Sequence, residues 1–95
     1  MLQKLANHYQ PINATNGTTL TVEIVGEAGG IWTIKKRPTG WENIEPVQDA
    51  DVTIYLDQQL AWLLFDGALH LHEIGQYYQI IGNKELGNHF LNLRN

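Results

Sequence analysis

Two stretches of the chain alternate apolar and polar residues with a period of two. Leu20, Val22 and Ile24 alternate with Thr19, Thr21 and Glu23, and Val52, Ile54 and Leu56 alternate with Thr53 and Tyr55. Successive side chains of a strand point to opposite faces, so each stretch predicts a strand with one buried face. Between them, residues 31–36 predict a second strand with Trp32 and Ile34 on one face. A short third strand runs from Trp41 to Glu45 and ends at Pro46. The turns at Gly26–Gly30 and Arg37–Gly40 are too short for parallel crossovers, so these first three strands read as an antiparallel meander. Tyr77 to Ile81 is rich in aromatic and β-branched residues and predicts a fifth strand.

The remaining segments carry helix signals. Residues 2–9 form a short helical lead-in that Pro11 stops, followed by a polar loop from Asn13 to Thr18. Asp57 stands at an N-cap position, and the helix it starts runs to about Asp66, with Gly67 placed to end it. Residues 68–76 read equally as a short helix or a turn. Gly82 and Asn83 end the fifth strand and cap a last helix, where Leu86, Phe90 and Leu93 form one apolar stripe at i, i+4 and i+7. Gly87 should weaken that helix by about 1 kcal/mol relative to Ala. Strands first and helices later imply an α+β fold: a mostly antiparallel sheet of about five strands with two or three helices on one face. Residues 1–16 read as a lead-in and residues 17–95 as a single domain.

The helix at 57–66 is apolar all round. At 100° per residue, Leu60, Leu63 and Leu64 take one side, and Ala61, Trp62 and Phe65 the other. One side can pack on the sheet. Burying Trp62 and Phe65 as well is worth roughly 1.5–3 kcal/mol each, so something should cover them. That cover is the last helix with the 68–76 segment, a ligand, or a partner surface.

Composition narrows the functional classes. The 95 residues carry 6 Lys plus Arg against 10 Asp plus Glu, a formal net charge of −4. A basic face for nucleic acid or for an anionic membrane surface is therefore not expected. There is no cysteine, which excludes disulfides, thiolate metal sites and a thiol nucleophile. Serine is absent as well, so no serine triad can form. No apolar run approaches the ~20 residues that span a bilayer, and the N-terminus lacks the pattern of a signal peptide, so membrane insertion is not expected and a cytoplasmic location is.

Candidate chemistry is sparse. His70 and His72 would point the same way on a strand and could share a metal, with Glu73, His89 or His8 as a third ligand. On a helix only His70 and Glu73 would meet, and the better reading is a pair of solvated histidines. His89 flanks the apolar stripe and reads as a partly buried, hydrogen-bonded side chain. Glu42 with Glu45, and Asp49 with Asp51, lie at strand ends and read as solvated carboxylates. Lys35, Lys36 and Arg37 read as charges that guard a sheet edge. No catalytic residue is nominated.

The stretch Gly17-Thr-Thr-Leu-Thr-Val-Glu-Ile-Val-Gly-Glu-Ala-Gly-Gly-Ile-Trp-Thr-Ile resembles the opening of the C-terminal domain of mycothiol-dependent maleylpyruvate isomerases and their DinB-like relatives. The same order recurs there: a Gly-Thr strand, a Gly-x-Ala-Gly-Gly-x-Trp turn, and a Gly-Trp, here Gly40-Trp41. The likeness continues through Ala50-Asp-Val-Thr-Ile-Tyr-Leu-Asp and an apolar helix containing Trp62. It closes on Ile81-Gly-Asn-Lys-Glu-Leu, similar to the family's Gly-Asp-x-x-Leu. It spans about residues 8–94. The resemblance implies a fold like that of sterol carrier protein 2. It also implies an accessory domain, since the family's metal-binding helical bundle has no counterpart in this sequence. The family's late functional arginine has no clear match: Arg94 reads better as a cation complementing the end of the last helix.

Two functional expectations follow. The first is a non-catalytic accessory or interaction domain, with a helical-bundle domain as partner or a homodimer as its assembly. The alternative is a small carrier that binds an apolar or lipid-like ligand between sheet and helices. Trp62, Phe65, Trp32, Tyr55 and Phe90 are the candidate ligand-binding or docking residues. No cofactor is expected. A metal-dependent enzyme built on His70 and His72 is the weakest reading.

Overall fold

A computed structural model describes residues 5–27, 29–66 and 78–92, with the backbone alone for Leu64, Phe65 and Asn92. The strands are β1 (Thr19–Val25), β2 (Gly30–Arg37), β3 (Gly40–Ile44), β4 (Val52–Asp57) and β5 (Tyr78–Gly82). Among the described residues the helices are α1 (Leu5–Tyr9), α2 (Gln58–Phe65) and α3 (Lys84–Asn88), the last continued by a 3₁₀ helix, His89–Asn92. The strands form one five-stranded sheet in the order β3-β2-β1-β4-β5.

The α+β architecture expected from the sequence is the one observed, with one refinement. Three of the four strand pairings are antiparallel, but the central pair, β1 with β4, is parallel. β1 and β3 run the same way, and so does β4. The link from β3 to β4, residues 45–51, must therefore return the length of the sheet while crossing β2 and β1. Seven extended residues reach about 23–25 Å, which suffices for strands of this length. The parallel crossover is thus made by the β2–β3 hairpin plus an extended strap, without a helix.

The sheet has two unlike faces. Leu20, Val22, Ile24, Ile34, Val52, Ile54 and Leu56 all point to one side and are essentially fully buried. Leu5, Ala6, Tyr9, Ala61, Leu86, Phe90 and Leu91 from the helices close over them in a single core. The strap covers part of the opposite face. Because β2 lies between β1 and β3, the charges of Lys35, Lys36 and Arg37 do not guard a sheet edge. Arg37 instead pairs with Glu42 on β3 at 2.7 Å, an exposed contact that contributes little stability.

Local sequence explains the ends of these elements. Gly26 takes φ 142° to turn β1 into β2, and Gly40 takes φ 135° after Pro38 and Thr39, a conformation that disfavours residues with a Cβ. Asp57 caps α2: its Oδ2 accepts the Gln59 backbone N–H at 3.0 Å. Asn83 caps α3 through its Oδ1, which accepts the Leu86 N–H at 3.1 Å. Gly87, costly by propensity, has a packing reason. A Cβ there would lie 2.5 Å from Ile80 Cγ2, so glycine lets α3 settle directly on β5.

The apolar helix α2 is not buried all round. Ala61 is fully buried against the sheet, Leu60 and Trp62 are half-buried beside it, and Leu63 is 44% exposed. Its smallest side chain faces the strands because a small residue permits the closest approach. Among the described residues, no helix is long and apolar enough to cross a membrane.

Candidate functional site

The layer between sheet and helices is held by side chains that bond to backbone carbonyls. Tyr9 is fully buried and donates its hydroxyl to the Leu86 carbonyl at 2.7 Å. Burial pushes this hydroxyl well above the usual phenol range, and a backbone hydrogen bond received from the Phe90 N–H offsets only part of that rise. Trp41 Nε1 donates to the Ile12 carbonyl at 3.1 Å. The Gln10 side chain spans both backbone groups of Trp41: Nε2 donates to the carbonyl at 2.9 Å, and Oε1 accepts the N–H at 3.3 Å. It thereby occupies one rung of the free β3 edge, as a neighbouring strand would.

His8 and His89 form a reciprocal pair. Each ring bonds through Nε2 to the other residue's carbonyl oxygen at 2.7 Å, and the rings stack with centroids 4.1 Å apart. The expectation of a hydrogen-bonded, partly buried His89 is met. Both Nε2 atoms that could ligate a metal are occupied by these bonds. Among the described residues, no group of three or more His, Asp or Glu side chains could hold a metal ion. His70, His72, Glu73 and Arg94 lie outside the described residues.

The nominated aromatic residues whose side chains are described do not all share one face of the sheet. Phe90 is fully buried in the core. Trp32, opposite Val22 on the helix-covered face, is half-buried and lies against Gly30. Trp62 is half-buried on α2. Gly26 abuts the Gln58 side chain at the start of α2, so the β1–β2 turn and α2 share one end of the sheet. Tyr55 lies on the opposite face, because period two places it out of phase with Ile54 and Leu56. The Phe65 side chain lies outside the described residues.

A groove of about 350 Å³ opens along the seam of β5 and α3. Tyr78 and Ile80 line it from β5, on the helix-covered face beside Leu56 and Ile54, and Gln79 between them borders it as well. Lys84 and Asn88, one turn apart on α3, give it an ammonium and an amide at the rim. Sequence reasoning missed these residues. A Lys and an Asn four apart at a helix start carry no distinctive pattern, and their pairing with β5 arises only from the contact at Gly87.

A helical layer over one face of this mixed sheet is the architecture of sterol carrier protein 2-like domains, and the chain has that fold. Sterol carrier protein 2-like 2 from Aedes aegypti superposes with a TM-score of 0.64 at 11% identity, covering 95% of this chain and 86% of that one. Aedes aegypti sterol carrier protein 2 in complex with palmitate gives a TM-score of 0.58 at 16% identity, covering 96% and 84%. A sec-alkyl sulfatase matches with a TM-score of 0.58 at 19% identity over 82% of this chain but only 13% of its own length. No protein-family model and no curated protein matches the sequence.

Proposed function

We propose that this domain binds an apolar or lipid-like molecule between sheet and helices, entering along the β5–α3 seam. The groove of about 350 Å³ at that seam carries the reading. Tyr78 and Ile80 offer it apolar side chains that pack on the core, while Gln79, Lys84 and Asn88 make the larger part of its lining polar. That division suits an amphiphile whose chain leaves water while its head stays in it. The shared fold of a palmitate-bound sterol carrier protein supports the same class of ligand.

Titration with palmitate tests the proposal through the half-buried Trp32 and Trp62, which should change emission saturably. Lys84→Glu should weaken that response severalfold by placing like charge at the rim. Flat emission together with no heat of binding would overturn the carrier reading.

A second reading is supported by the sulfatase, in which this fold makes up a small part of a longer chain. Here the domain docks within a larger assembly, with a helical-bundle domain like that of the maleylpyruvate isomerases, or with a second copy. The 44% exposed Leu63 on α2 supports a docking face. Sedimentation at several concentrations separates self-association from a strict monomer.

A further inference from the structure

The face of the sheet opposite the helices carries its own built feature. Ile31, Glu23 and Tyr55 form one row across β2, β1 and β4, because Glu23 registers with both of the others. Thr21 and Thr53 stand on the next outward-facing row. The strap passes over this surface and adds Pro46, Val47 and Gln48, enclosing a groove of about 280 Å³.

The chemistry of this groove is specific. Glu23 is half-buried as a residue, and among the described residues no cation pairs with its carboxylate. Half-buried Tyr55 sits at the adjacent strand position and adds an aromatic ring to the groove lining. Ile31 and Val47, 49% and 41% exposed, add apolar walls. An occupant without a hydrogen-bond donor would desolvate the carboxylate without compensation, and a neutral donor would leave its charge unbalanced. An anionic one would meet both Glu23 and a chain of net charge −4. A cation satisfies the carboxylate, gains from the tyrosine ring, and can cover the walls with an apolar body.

We infer that this groove is a binding site for a small organic cation with an apolar body, such as an arylalkyl amine. It lies on the sheet face away from the β5–α3 seam, so it stands or falls independently of lipid binding.

Titration with phenethylammonium, followed by amide and methyl NMR, tests the inference. Saturable shifts should cluster at Ile31, Val47, Thr53 and Tyr55. The isosteric neutral alcohol 2-phenylethanol should bind at least about tenfold more weakly. Glu23→Gln should weaken the amine to a similar degree, whereas Glu27→Gln, which removes the same charge from the exposed β1–β2 turn, should leave it within about twofold. Equal binding of alcohol and amine, equal weakening by the two glutamine variants, or no localised shifts would each overturn the site. If Glu23→Gln fails to fold, as judged by circular dichroism, the amine–alcohol comparison on the unaltered chain decides alone.

Discussion

The two faces of the sheet are built from the same strands, yet they differ in how side chains are held. On the helix-covered face, seven aliphatic side chains from three strands lose essentially all contact with water. Specificity there comes from packing, with Tyr9 and Trp41 anchored on carbonyls. On the other face, the buried side chains are polar. Thr21 and Thr33, on opposite strands, bond hydroxyl to hydroxyl at 2.8 Å beside the strap. The large apolar residues Ile31 and Ile81 stand about half exposed. One face thus sustains the fold, and the other is left with room for chemistry that folding does not require.

That contrast makes quantitative predictions. Ile54→Ala removes a fully buried side chain, so it should cost about 2–5 kcal/mol in chemical denaturation. Ile81→Ala, on the opposite face, should cost about 0.5 kcal/mol or less. Similar losses at the two sites would erase the distinction between the faces.

Tyr9→Phe strands the Leu86 carbonyl and should cost about 1–2 kcal/mol. The same residue gives an alkaline signature. Burial raises its folded-state ionisation above the ordinary 10.0, so the unfolded chain loses this proton first. The stability it contributes is complete below pH 10.0 and declines as pH rises beyond it. Urea midpoints measured above that pH should therefore fall more steeply for the unaltered chain than for Tyr9→Phe. Parallel slopes would show that the phenol ionises equally well in both states.

Thr21→Val should cost about 1 kcal/mol by leaving the Thr33 hydroxyl unpaired, while Thr21→Val with Thr33→Val should recover most of the loss. Strict additivity would mean that the hydroxyl pair is not what holds the outer face.

The limits of sequence reading fall on identifiable residues. All five strands, the Asp57 cap and the Asn83 cap were legible, because period two and capping chemistry act within a few residues. The side of α2 that meets the sheet was not legible, since Leu60, Ala61, Trp62 and Leu63 are all apolar and hydropathy cannot rank them. The basic run at 35–37 was misplaced on an edge because edge or interior is a property of strand order. The seam groove was invisible, since Tyr78, Ile80, Lys84 and Asn88 become neighbours only when α3 lies on β5.

Local pattern alone determined which face of β1 and of β4 carries the aliphatic core: alternation acts through backbone geometry and needs no distant partner. The tertiary structure alone decided that β4 pairs in parallel with β1, and so which polar residues share a row on the outer face. A strand's outward side chains are read from its own sequence. The neighbours they meet are set by a register that the whole chain must close to define.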